Sequence, residues 1–267
     1  MECTKKELGY LELYKGIEEG MDLVSPDLSE TLKFYYSTSY NYKNVNALLS
    51  FVFSKDPKLL DEMEPLPRLN LSLDMAFTLS EMACKYALDN PVMMNHLYRM
   101  ENENNLNNYM EGGMTTSFKS TSKSKSEILE FNRPGNVGLS VDVVGFIPYL
   151  DVDEIARGTI FSDEKEILFP PCVSGMFTGL KESANGIDFQ NVCFRDDFED
   201  RLDYDHGPEF EIASKNFAAE VRECRETGEV SEELSTYCTA ISSYIYARLR
   251  NMYNKYHEMY VEQYFSR

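Results

Sequence analysis

The apolar residues of this chain change their spacing twice, and that order of periods restricts the folds open to it more than any other feature. Over the first ~90 residues they recur at three- and four-residue intervals, the period of helices with one buried face. Leu8, Leu11, Tyr14 and Ile17 keep that interval up to Gly20. Ser25-Pro26-Asp27 resets the chain, and Asp27 or Ser29 can cap a helix carrying Leu32, Tyr35 and Tyr36. Val45, Leu48, Leu49 and Val52 mark the next helix. Residues 71–88 give a further amphipathic one, with Leu73, Ala76, Leu79 and Met82 or Ala83 on one side.

Near Pro91 the texture turns. VMMNHLYRM (92–100) reads as a strand and the Asn-rich ENENNLNNYMEGG after it as a loop. MTTSFKSTS (114–122) is β-leaning and gives way to the polar KSKS. GLSVDVVGFIPYL (138–150) holds one or two strands, broken by Gly145 and Pro148. GTIFS (158–162) and EKEILF (164–169) are short strands, the second stopped by Pro170 and Pro171. Residues 181–210 carry no clear pattern. From Glu211 two helices follow, the second long, with Leu234, Tyr237 or Cys238, Ile241, Tyr244 or Ile245, Leu249, Met252 or Tyr253, Tyr256, and Met259 or Tyr260 on one stripe. Helices, then short strands, then helices is an α+β order, without the regular alternation of doubly wound sheets.

Composition narrows the partners. A length of 267 residues with 43% hydrophobic and 13% aromatic content describes a globular chain of one large domain or two small ones. The net charge of -19 excludes a nucleic-acid backbone or an anionic membrane as the main partner; it suits a basic protein partner, or solubility alone. Six scattered cysteines without a CxxC pair fit neither a zinc cluster nor a dense disulfide framework, and point to a reducing compartment. No apolar run reaches the ~20 residues of a membrane span. MECTKKELGYLELYKG contains no apolar signal-peptide core, so the expectation is a cytoplasmic protein or export by a route that reads no such signal. The carboxylates of residues 196–211 lack the alternation of a calcium loop, and His96, His206 and His257 form no ligand cluster, so no metal is expected.

EKEILF raises a chemical question. On a strand, Glu164 and Glu166 share a face ~6.6 Å apart and Lys165 turns away. Two such carboxylates repel unless a cation lies between them or one is protonated. The pair is costly in a core and useful beside a transition state that turns cationic. Alone it is as well explained by a solvated surface, Arg99 by an ordinary ion pair, and Ser120-Thr121-Ser122 by a polar strand end.

In series, however, LYR (97–99), FKSTS (118–122) and EKEILFPP (164–171) resemble the signature of the arginine–serine–glutamate class of mono-ADP-ribosyltransferases, of the bacterial effector or toxin kind. FYYSTSYNYKNVNALL (34–49) resembles that family's early helical stretch, and the likeness runs from about Leu28 to Pro171. It implies N-terminal helices packed on two small, roughly perpendicular, mainly antiparallel sheets that form an NAD cleft, here followed by C-terminal helices. The corresponding division is an extension over residues 1–26 and a catalytic core over 27–195 (helical to 90, sheet from 91). An acidic loop and helical extension occupy 196–267.

The resemblance also implies roles. Arg99 would hold the phosphate or ribose region of NAD. Ser120 would bond the nicotinamide ribose and orient the catalytic carboxylate, with Thr121 and Ser122 supporting the strand. Glu166 would be catalytic, and Glu164 would engage the acceptor nucleophile. Glu rather than Gln at that position favours an arginine acceptor. Met100 stands where family members often carry Gly. NAD would be the co-substrate, without a metal, and the partner a target protein presenting its acceptor side chain. An NAD glycohydrolase, or a catalytically idle partner-binding relative, is the alternative. Elementary chemistry agrees with the first: cleaving the nicotinamide–ribose bond makes the sugar cationic, and a fixed carboxylate stabilises that charge more in the transition state than before it. Arg99, Lys119, Lys123, Lys125 and Arg133 would supply local positive charge for the diphosphate, unless they form a solvated lysine-rich loop.

Overall fold

The computed structural model describes residues 41–63, 69–91, 94–110, 113–155, 165–184, 186–197 and 208–266. The helices expected over residues 8–17 and 32–36, the strand expected over 158–162, and Glu164 lie outside them.

Helix α1, Asn41–Ser54, buries Val45, Leu48, Leu49 and Val52, the residues whose spacing marked it. Pro57–Glu62 is a 3-10 turn; Pro57 occupies its first position, where a missing N–H costs nothing, and the Asp56 side chain accepts from the Lys58 N–H. Helix α2, Leu69–Asp89, buries Leu73, Ala76, Leu79 and Ala83, with Met82 packed at the edge.

The strands are β1, Leu97–Asn102; β2, Lys119–Ser122; β3, Asn136–Val144; β4, Leu150–Asp151; β5, Glu166–Phe169; β6, Ser174–Ala184; and β7, Ile187–Arg195. Two short helices lie among them: α3, Lys125–Leu129, and α4, Val152–Ile155. The strands join one sheet in the order β4-β5-β2-β1-β3-β7-β6. All its pairings are antiparallel except β3 with β7. The fold is α+β and mainly antiparallel, as expected. The two expected sheets correspond to two wings, β4-β5-β2 and β1-β3-β7-β6, which share the single register pair Tyr98↔Ser122. A seam one pair long constrains their relative tilt far less than a full ladder would.

Three local outcomes differ from the sequence pattern. Strand β1 starts at Leu97 rather than at residue 92, because His96 takes φ 58 and its N–H turns to the Asp142 carboxylate. The Asn-rich stretch is a 3-10 helix, Glu103–Tyr109: the Asn102 side chain caps it by accepting from the Asn104 N–H, and Tyr109 is fully buried. Residues 181–184 and Ile187–Arg195 belong to the antiparallel pair β6–β7, in which a register shift between Phe177 and Lys181 erases the two-residue alternation.

Helix α5, Pro208–Thr227, and helix α6, Glu232–Phe265, close the fold. The Ser231 hydroxyl caps α6 by accepting from the Leu234 N–H. Leu234, Cys238, Ile241, Tyr244, Ile245, Leu249, Tyr253 and Tyr256 form its buried stripe, in one core cluster with α1, α2 and the sheet; Tyr237, Met252 and Tyr260 are half-buried at its edge, and Met259, expected near its end, is exposed. No described helix is long and apolar enough to cross a membrane. The acids that follow β7 clamp this helix: Arg250 Nη1 lies 2.8 Å from Asp197 Oδ1 and His257 Nε2 3.4 Å from Asp196 Oδ2.

Asp196 also accepts from the Phe146 N–H, and a Cβ on Gly145 would lie 2.2 Å from its Oδ2. Gly145 has φ +86, which side chains rarely adopt. Gly145→Ala is therefore expected to lower stability by about 2–3 kcal/mol, read as a shifted denaturant midpoint at constant slope. No change would show that the Asp196 clamp is loose.

Candidate active site

Strand β5 is buried on both faces, and Glu166, at its first position, is only 4% exposed. The prolines end the strand, and the Tyr253 hydroxyl donates to the Pro171 carbonyl at 2.7 Å, anchoring the exit to α6. Its ladder with β2 pairs Lys119↔Phe169, Ser120↔Leu168, Thr121↔Ile167 and Ser122↔Glu166. Directly opposed residues share a face. Glu166 therefore stands beside Ser122 and diagonally from Ser120, which is exposed. Thr121 points to the other face, where its hydroxyl donates to the Ile167 carbonyl at 3.1 Å and stitches the two strands. The Ser122 hydroxyl donates to Glu127 on α3 at 3.2 Å.

Lys165 has φ 47 and extends to Glu127, 3.2 Å away, while its N–H bonds Asp153. Strand β5 begins at Glu166, so Lys165 lies before it and the two-residue alternation expected over residues 164–166 does not extend to Lys165. Glu164 is outside the described residues, so Glu166 is the member of that pair whose position is known.

Arg99 joins the third strand to the group. Its Nη1 donates to the Ser120 carbonyl at 2.6 Å and its Nε bonds Glu101 Oε2 at 3.0 Å. Burial opposes the guanidinium charge; the Glu101 carboxylate outweighs it, with Glu166 also contributing, and the net effect raises the Arg99 pKa. Arg99, Ser120 and Glu166, 67 residues apart in sequence from first to last, thus converge on the β1–β2–β5 strip.

The sequence pattern did not single out Glu101, which organises this corner. It is 2% exposed and accepts from Arg99, from Lys119 Nζ at 3.1 Å, from the Tyr109 hydroxyl at 2.9 Å, from Asn105 Nδ2 at 3.0 Å and from the Asn102 N–H at 3.1 Å. Burial alone would raise its pKa; Arg99 and Lys119 overcome that and hold the carboxyl well below its usual range. Lys119 shares this one counter-ion with Arg99, so burial prevails there and its pKa falls. The signal that could have revealed the corner is Arg-x-Glu on a strand, which puts both side chains on one face.

Next to this corner lies a cavity of about 450 Å³ between α1, the Pro57–Glu62 turn and the end of β1. Tyr42, Lys43, Asn46, Lys58, Arg99 and Lys119 are among its lining residues. The Asn46 side chain accepts from the Phe118 N–H at 3.0 Å, which ties α1 to the segment entering β2. Of the five basic residues expected to gather here, Arg99 and Lys119 do. Lys123 instead pairs with Asp151, Lys125 with Glu182, and Arg133 with the carbonyls of Glu130 and Asn132. Lys43 and Lys58, from the helical part, take their place in the cavity wall.

No family model matches this chain, and no curated protein does. Among solved structures it is similar to the ADP-ribosyltransferase Vis toxin of Vibrio splendidus, in a complex with agmatine. The identity is 16% and the TM-score 0.41, over 74% of this chain and 89% of that one. It is also similar to Plx2a, an ADP-ribosyltransferase toxin from Paenibacillus larvae, at 13% identity and TM-score 0.39 over 71% and 95% of the two chains. The ADP-ribosyltransferase HopU1 of Pseudomonas syringae pv. tomato gives 13% identity and TM-score 0.33 over 67% and 87%. Likeness at this level assigns no residue a role.

Proposed function

We propose that the chain is an NAD-dependent mono-ADP-ribosyltransferase that moves ADP-ribose onto a protein side chain, arginine favoured, and releases nicotinamide. One observation carries this reading: Arg99 is hydrogen-bonded to the strand of Ser120 while Glu166 is buried one strand further on, close enough to act on the Arg99 charge. The cavity beside Arg99 has the volume of a small-molecule site and a wall with four basic side chains, which suits a dinucleotide diphosphate; Ser120 and Glu166 do not line it.

Each side chain then has a task. Arg99, preset by Glu101, receives a phosphate or ribose oxygen. Ser120 offers its exposed hydroxyl to the nicotinamide ribose. Glu166, 4% exposed, places its carboxylate where the sugar becomes positive as the base departs. Glu164 orients or deprotonates the incoming guanidinium. The target protein would dock through a basic surface, given a net charge of -19.

Incubating the chain with NAD labelled in its adenylate half and a cell lysate tests the reading. Label in protein supports it; nicotinamide release without labelled protein would make the enzyme a glycohydrolase, and neither would remove the enzymatic reading. Glu164→Gln is expected to lose transfer to arginine while retaining nicotinamide release. Equal loss of both would contradict the division of labour between the two acids.

A further inference from the structure

The sheet carries a second polar feature on the face of Glu166. Register places Glu166, Ser122, Tyr98, Ser140 and Asn191 in one row on successive strands β5, β2, β1, β3 and β7. Around Tyr98 the row widens into a cage. The Tyr98 and Phe189 rings meet edge to face, with centroids 5.7 Å apart, and Lys125 Nζ sits 4.9 and 4.8 Å from them. The same ammonium is 2.9 Å from Glu182 Oε2, while Glu182 Oε1 is held by the Ser140 hydroxyl at 3.2 Å and by His96 Nδ1 at 3.0 Å. Two aromatic faces and a fixed carboxylate are the chemistry that recognises an organic cation.

Lys125 does not complete this cage. Asn191, 8% exposed and next to Ser140 in register, has a side-chain oxygen with no hydrogen-bond partner among the described residues. Buried acceptors without donors are rare. An ammonium is a compact point charge already spent on Glu182 and the rings. A guanidinium is planar, stacks on aromatic faces and carries five N–H groups in a fork, enough to reach a carboxylate and an amide oxygen together. The helix that carries Lys125, α3, has no buried residue, and it meets the cage through the Lys125 ion pair and ring contacts. Along the row Tyr98 stands two strand spacings, ~9.5 Å, from Glu166, and Phe189 and Asn191 stand four, ~19 Å.

We infer that the Tyr98–Phe189–Glu182–Asn191 cage is a binding site for an arginine guanidinium of the acceptor protein, kept closed in the free chain by Lys125 as an intramolecular substitute. This rests on the transferase reading for the word acceptor; the guanidinium site itself rests on the geometry alone.

Calorimetric titration with N-acetyl-arginine amide, and with its lysine counterpart, tests it. Lys125→Ala is expected to bind the arginine probe at least tenfold more tightly than the wild-type chain and to prefer it over the lysine probe. Adding Glu182→Gln should abolish that gain. Equal binding by wild type and Lys125→Ala, or no preference for arginine, overturns the inference. Lys125→Arg supplies an independent readout: its guanidinium should satisfy Asn191, raise the melting temperature above wild type and still exclude the probe. A melting temperature at or below wild type counts against the cage. Nicotinamide release by the wild-type chain separates the two ideas. Release without arginine binding by Lys125→Ala removes the cage alone, whereas arginine binding without release removes the transferase and leaves a guanidinium-binding protein.

Discussion

Glu166→Gln is expected to slow nicotinamide release from NAD by about 10²–10³-fold, the range for losing one preorganised electrostatic group in an active site. The substitution keeps shape and hydrogen-bonding capacity but removes the charge. Glu166 is 4% exposed, so its carboxylate gives up hydration on folding. A neutral amide escapes that cost, and the melting temperature should hold or rise while activity falls. Opposite movement of stability and rate distinguishes a group that serves the reaction from one that serves the fold. Steady-state nicotinamide release and a thermal melt on the same preparation check both halves. A variant that is destabilised and keeps its rate would make Glu166 a structural acid.

Glu101→Leu has the larger effect on the fold. It leaves Arg99 and Lys119 beside each other without their counter-ion and strips the Tyr109 hydroxyl of its acceptor. Breaking a buried ion cluster from one side costs about 3–5 kcal/mol, a large part of the ~5–15 kcal/mol that holds an ordinary domain together. Denaturant melts should show that loss, and NAD binding should weaken with it as Arg99 loses its setting. The acid limb gives a second check. A carboxylate whose folded pKa is depressed contributes fully above its unfolded value, ~4.3, and loses that contribution as pH falls below it. Lys119 works in the other direction: its folded pKa is lowered, so its penalty is present at low pH and relieved only as pH rises through that value. Glu81, Glu182 and Asp197 are also held below their usual values, so the decline in stability below the ordinary carboxylate range is shared, and the Glu101 part of it should disappear in Glu101→Gln. An unchanged acid limb would place the titration elsewhere.

Much of this architecture is legible in the sequence because local signals and tertiary demands agree there. The stripe of α6 could be read because each apolar residue meets a core that needs it. EILF could be read because a strand buried on both faces has no reason to alternate, and the prolines fix its end. The β6–β7 pair was not legible: its outer half, Thr178 to Ser183, faces solvent or a register shift, and neither imposes a period. The Asn-rich stretch read as loop because its structure depends on Asn102 capping its own turn and on Tyr109 reaching a carboxylate eight residues back.

The site divides along the same line. Arg99, Ser120 and Glu166 emerged from three short motifs, and the sheet order brings them together. Glu101 stayed hidden because its partners Arg99, Lys119, Tyr109 and Asn105 lie on two strands and the loop-like Asn-rich 3-10 helix, and only folding assembles them. Lys123 and Lys125 illustrate the converse: nearness in sequence suggested a phosphate site, and the chain directs both to acids instead.

A double-mutant cycle on nicotinamide release, with Arg99→Lys and Glu166→Gln, addresses most directly whether the guanidinium and the carboxylate serve one reaction. Groups that act as a unit are strongly non-additive, because losing either already disables the other. The double variant should therefore be about as slow as the slower single variant. Losses that multiply, or a wild-type chain that releases no nicotinamide at all, would contradict a joint site.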